Sequence, residues 1–168
     1  MLQNFLKTRS QKTAAAGGAI SLAGGALMLL QSFVPAWEGK TNEAIIPVPG
    51  DVPTICWGYT KGVKMGDTAT DEECIHFLRA ELEHALAVVD RNIKVKISEE
   101  ERAAYASLVY NVGAAAFASS TIVKKVNRHD RLGGCNELPR WNKFKGKPLK
   151  GLTRRRAAER ILCLQGLQ

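Results

Sequence analysis

Three residues in the first third of the chain are of the types that cleave glycosidic bonds: Glu38, Asp51 and Thr54. Glu38 follows Trp37 at the end of a long uncharged stretch and precedes Gly39, a helix–loop boundary. Asp51 and Thr54 lie in Pro49-Gly50-Asp51-Val52-Pro53-Thr54, the turn and strand of an expected hairpin. A helix end facing a hairpin forms a cleft with a carboxylate on either side. Glycoside hydrolysis needs such a pair: one acid protonates the leaving oxygen, and one carboxylate directs water or stabilises an oxocarbenium ion. Partial burial beside Trp37 would favour the protonated form of Glu38, as the acid role requires. Each residue also has an ordinary structural reading, Glu38 as a helix-end residue and Asp51 as a turn residue.

The elements that must hold these groups are legible as a coarse pattern. Pro47, Pro49, Gly50, Pro53, Gly58 and Gly62 exclude a long helix over 37–62, where Thr54-Ile55-Cys56-Trp57 reads as a short strand. Thr70 with Glu73 forms a capping box for a helix carrying Ile75, Leu78, Leu82, Ala85, Leu86 and Val89. Ser98 with Glu101 repeats the signal, and Gly113 ends that second helix. Ser119 or Ser120 opens another helix with Ile122, Val123 and Val126, and Leu138 and Trp141 sit on a short basic helix or turn. Thr153 is expected to cap a last helix from Arg154 to about Leu164. The outcome is an α+β chain, a small β-containing lobe near 40–65 followed by several helices.

At 168 residues the chain has the length of one domain, and 45% hydrophobic with 24% charged residues is the balance of a globular protein. The net charge of +8 favours a polyanionic partner: nucleic acid, an anionic membrane or an anionic cell wall. Nine bases and one acid, Glu159, fall within 140–160, so the C-terminal end is the basic one.

Thr13 to Trp37 is 25 residues without a charge, preceded by Lys7, Arg9 and Lys12. About 20 apolar residues span a bilayer, and the basic flank keeps the N-terminus cytoplasmic while the rest is exported. The segment holds four Gly and seven Ala, and its only strongly apolar run is Leu27-Met28-Leu29-Leu30. It reads as a cleaved signal peptide, a permanent anchor, a segment that is exported and later leaves the bilayer, or a small-residue core helix. The Gly/Ala composition fits the exported-then-released form best. Export implies an oxidising compartment. Cys56, Cys74, Cys135 and Cys163 lack C-x-x-C spacing, and the simplest of their three connectivities is Cys56–Cys74 with Cys135–Cys163.

Several short pieces, in this order and spacing, resemble phage-type lysozymes (endolysins) of glycoside hydrolase family twenty-four. They are Glu38-Gly39, Pro53 to Thr60, Thr70 to Cys74, Tyr110 to Gly113, Phe117 to Thr121, Trp141, and Gly151 to Arg160. The resemblance implies a lysozyme-like fold. It also implies cleavage of the β-1,4 bond between N-acetylmuramic acid and N-acetylglucosamine with inversion, using no metal or cofactor. The family's triad is a Glu, an Asp or Cys nine residues on, and a Thr six further. Glu38 and Thr54 match the first and third, with one extra residue between them. Nine residues after Glu38 is Pro47, so Asp51 is the nearest candidate for the second. Gly58-Tyr59-Thr60 stands where the family usually has Gly-His-Thr.

The N-terminal segment then resembles the signal-arrest-release type of some phage endolysins. Residues 1–36 would tether an inactive enzyme on the outer face of the inner membrane, and 37–168 would be the catalytic domain. Release would deliver the enzyme to the host periplasm. No cysteine lies within 1–55, so control by a thiol in the segment is excluded. Expected partners are peptidoglycan and, before release, the inner membrane; a monomer with no nucleic-acid partner is expected. The rival is a membrane-tethered basic wall-binding or membrane-disrupting protein without turnover. His76, His84 and His129 read as surface residues, Trp57 and Trp141 as core packing, Arg154 to Arg156 as a helix start that packs and pairs, and Asn111 as a structural hydrogen-bonder.

Overall fold

The structure, a computed structural model, describes residues 24–168. The basic flank Lys7, Arg9 and Lys12 and the segment's first half, 13–23, lie outside the described residues. Helix α1 (Gly24–Phe33) comes from the apolar segment, and a 3-10 turn, Val34–Ala36, delivers the chain to Trp37 and Glu38. Ala26, Leu30 and Val34 recur every four residues and are fully buried. Thus the stretch read as membrane-directed also supplies one face of the protein core. No helix among the described residues is long and apolar enough to cross a membrane.

Strands β1 (Thr41–Ile45) and β2 (Thr54–Cys56) form an antiparallel hairpin, with Thr41 opposite Cys56, Ile45 opposite Thr54, and an irregularity between. Helix α2 (Asp71–Asn92) starts at the expected capping box, Thr70 and Glu73 exchanging side-chain bonds with each other's backbone N–H. Helix α3 (Glu99–Val112) starts at the second box, Ser98 with Glu101. It is buried continuously from Ala103 to Val109, because α1, α2 and the last helix, Lys150–Gln165, pack around it. Its run of Ala103, Ala104 and Ala106 lets those neighbours approach closely.

Gly113 (φ +86°) joins α3 to α4 (Ala114–Ala118), a conformation costly for other residues. Ser120 caps α5 (Thr121–Val126), and Asp130 caps α6 (Arg131–Glu137). A Cβ on Gly134 would lie 2.4 Å from Val126, so only glycine allows α6 to sit this close to α5. A 3-10 turn, Leu138–Arg140, leads to a small hairpin of β3 (Lys143–Phe144) and β4 (Lys147–Pro148), then α7 (Lys150–Gln165).

The observed α+β architecture is the expected one, and both disulfides form as the simplest connectivity had it. Cys56–Cys74 ties β2 to the start of α2, and Cys135–Cys163 ties α6 to α7. One boundary differs. Helix α7 begins at Lys150, with Leu149 at its cap, and Thr153 lies inside the first turn. The Thr153 hydroxyl donates to the Leu149 carbonyl (2.9 Å), satisfying itself within the helix instead of capping it. Helix α6 and the second hairpin were not foreseen, since each is too short to carry a periodic pattern.

Candidate active site

Glu38 follows directly from α1 and its 3-10 turn, so the docking of α1 sets its position. The side chain is half-buried, and Arg155 of α7 donates Nη1–H to its Oε1 at 2.5 Å. The two residues are 117 apart in sequence. A guanidinium therefore grips the candidate acid, where only an apolar setting was expected. Ala36, Trp37, Glu38 and Arg155 line a cleft of about 720 Å³ with Asn111 from the end of α3, Leu149 at the cap of α7 and Leu152 within it. The rim is basic, with Lys150 and Arg154. A second hollow of about 540 Å³ shares Asn111, Leu149 and Leu152 and reaches Arg140, Trp141, Lys143 and Phe144. The hollows adjoin, giving an open, positively charged groove suited to an extended anionic polymer.

Arg155 is itself held from behind. Its Nε–H points to Glu159 Oε1 at 3.3 Å and its Nη2–H to the Ser107 carbonyl at 3.5 Å. Arg156 and the Ser107 hydroxyl donate to the same Glu159 oxygen, at 2.8 and 2.7 Å. Glu159 and Arg156 have no solvent exposure. Burial pushes the Glu159 carboxyl up, against the pull of the two guanidiniums and the Ser107 hydroxyl. Burial likewise lowers Arg156, to about 10, with Glu159 opposing. The Arg154–Arg156 run thus divides: Arg154 is exposed on the cleft rim, and the next two residues turn inward and pair.

The other two candidates occupy the hairpin lobe. Asp51 is exposed; its Oδ1 accepts the Val52 N–H (3.0 Å) and its own N–H donates to the Val48 carbonyl (3.0 Å). Thr54 is half-buried, and its hydroxyl donates to the Ile45 carbonyl at 3.4 Å. Neither is among the residues lining the cleft around Glu38. Pro47, at the family's second position, lies in the loop between the strands. Tyr59, at the family's histidine position, stacks on Phe77 with ring centroids 4.4 Å apart.

The lobes meet where the Tyr110 hydroxyl donates to the Trp57 carbonyl at 2.6 Å. Burial, and secondarily the charge of Glu38, push the Tyr110 hydroxyl up, so it serves as a neutral donor. Trp57 and Trp141 are half-buried against the core, and Asn111 is an exposed cleft wall rather than an internal hydrogen-bonder. His76, His84 and His129 are exposed. Among the described residues no His, Cys, Asp and Glu side chains gather in threes to hold a metal ion.

Sequence reasoning missed Arg155 as the partner of Glu38. The available signal was Arg155-Arg156-x-x-Glu159, which puts one acid within helical reach of two bases. That pattern points to a paired cluster but not to its neighbour across the cleft.

The Phage lysozyme family model matches residues 35–159. The SAR-endolysin of Bacteriophage PS119 is 39% identical over 160 residues, covering 95% of each chain. The SAR-endolysin of Enterobacteria phage P21 is 37% identical over 156 residues, covering 89% of this chain and 94% of that one. In fold, the chain is similar to the active form of the P1 phage endolysin Lyz, with a TM-score of 0.74 at 23% identity, over 90% of this chain and 98% of that one. The family model spans most of the chain and these relatives match nearly all of it, so the chain belongs to the phage lysozyme family as a glycoside hydrolase that lyses the host cell wall.

Proposed function

We propose that Glu38 is the general acid of this muramidase, protonating the oxygen of the β-1,4 bond between N-acetylmuramic acid and N-acetylglucosamine. The observation that carries the reading is the Arg155–Glu38 contact in the cleft: a carboxylate at a helix exit, fixed by a nearly buried guanidinium from a distant helix. Such a clamp holds the proton donor where the scissile oxygen must arrive, and precise placement is worth several kcal/mol of the barrier. Thr54 positions the attacking water and Asp51 is its partner carboxylate, both carried in as the β1–β2 loop closes on bound polysaccharide. Water arriving on the opposite face of the sugar from Glu38 gives inversion.

The N-terminal residues 1–36 act as the export and release unit, tethered first to the inner membrane, and 37–168 act as the catalytic domain, monomeric and without a nucleic-acid partner. Support comes from α1. Ala26, Leu30 and Val34 cannot lie in a bilayer and in the core at once. While they are in the membrane, Glu38 stays at its surface and the Arg155 clamp is undone. The SAR-endolysin names of the relatives point the same way.

The deciding experiment is zymography on purified peptidoglycan. Glu38→Gln keeps the shape but cannot donate the proton, so activity should fall by about 10²–10⁴-fold, the usual worth of general acid catalysis. Activity within a few-fold of wild type in a folded variant removes Glu38 from the acid role.

A further inference from the structure

We infer that Glu159 is a positioning residue for the reaction, tuning through Arg155 how strongly the guanidinium clamp acts on the proton of Glu38. The inference rests on the reading of Glu38 as general acid. Arg155 bridges the two carboxylates, donating Nη1–H to Glu38 and Nε–H to Glu159. Glu159 gathers all its bonds on one oxygen, from Arg155, Arg156 and Ser107, while its Oε2 and the Nε and Nη1 of Arg156 have no partner among the described residues. A cluster retained for packing alone would gain little from this, since buried ions with unmet hydrogen bonds are matched or bettered in stability by apolar side chains.

Electrostatically the cluster balances: two guanidiniums, Arg155 and Arg156, against two carboxylates, Glu38 and Glu159. Arg155, Arg156 and Glu159 are shielded from water, so their fields reach Glu38 with little screening. The other charges around the site are accounted for. Tyr110 of α3 is neutral, and Glu101 of α3 is engaged by Arg131. Glu137 of α6 is engaged by Lys125 and Arg140. Lys150 and Arg154 of α7 stand on the solvated rim. On the hairpin side Lys40 is paired with Asp71 and Lys61 with Glu81, and Asp51 is exposed to solvent. Removing the charge of Glu159 leaves both guanidiniums acting on Glu38 and favours its ionised form. Removing Arg156, which does not touch Glu38, does the reverse.

The test is the kcat–pH profile of the full-length chain, released from the membrane, on purified peptidoglycan. Glu159→Gln retains acceptor and shape. Its alkaline limb, where the acid form of Glu38 runs out, should move about one pH unit lower, with activity on that limb down about ten-fold. Arg156→Gln should move the limb higher. A folded Glu159→Gln with a wild-type limb overturns the inference, as does movement of both variants in the same direction. If Glu159→Gln does not fold, Arg156→Gln decides alone, an unmoved or lowered limb overturning it. Failure of both to fold assigns the cluster to stability and overturns it too. The underlying reading fails separately: Glu38→Gln that stays active removes the acid, whereas Glu38→Gln that is dead beside an unmoved Glu159→Gln removes only the positioning role.

Discussion

The helical lobe and the hairpin lobe hold their catalytic candidates by different means. Glu38 belongs to the first, whose core runs without a break from Leu30 through Leu82, Leu108 and Phe117 to Leu138. Asp51 and Thr54 belong to the second, whose buried centre is only Ile55, Cys56 and Cys74, with Trp57, Tyr59 and Phe77 packed around it. The hairpin's loop end leaves Ile45, Ile46, Val48 and Val52 exposed. The difference teaches how the work is divided. In the proposed roles, a proton donor gains from rigidity, whereas groups that handle water would have to admit a polymer and then close on it. The continuous core and Arg155 supply the rigidity. A single disulfide, where a larger core would otherwise be needed, holds the hairpin side together.

The contrast is broken most severely from the helical side. Leu30→Ala removes a fully buried side chain from α1 and should cost about 2–5 kcal/mol. Denaturant unfolding followed by far-UV circular dichroism should show one transition moved to a lower midpoint, with activity lost along it. A midpoint within error of wild type would mean that α1 is not an integral part of the lobe.

A smaller and more local loss should follow removal of the hairpin's disulfide. Cys56→Ser with Cys74→Ser opens a link spanning 18 residues, worth about 2–4 kcal/mol where the joined parts unfold together. Here the loss should concentrate in the hairpin lobe. Activity should decline at temperatures where the helical signal is still native, and thermal scans read by both probes should separate. Coincident curves would show the lobes to be one cooperative unit. Val48→Ser, at the exposed loop, should leave stability within about 0.5 kcal/mol. If the loop closes on polysaccharide, KM on peptidoglycan rises while Tm stays put; an unchanged KM argues against closure through this side chain.

Legibility divides along related lines. Both capping boxes, the Gly113 stop and the cysteine pairing were readable, because each depends on residues near in sequence or on a small set of alternatives. The start of α7 was misplaced by a turn, because Thr153 can bond backward as well as forward, and only the path of the chain after Pro148 selects between the two. Arg155 was hidden for a different reason. Its run of three arginines reads as a helix start that packs and pairs, but only packing against α3 decides which two turn inward and which acid each one meets.

What the sequence determined by itself was chemical and local: an acid at the exit of an apolar segment, helices with their own start signals, cysteines suited to an oxidising compartment. These follow from hydrogen bonds and periodicities that close within a few residues. What only the tertiary structure decided was which charges meet. The Glu38–Arg155 contact depends on α1 and α7 both docking on α3. The placement of Asp51 and Thr54 away from that contact depends on a hairpin anchored to α2 instead. A side chain's partner across 117 residues is set by how helices pack, and no local pattern encodes that packing.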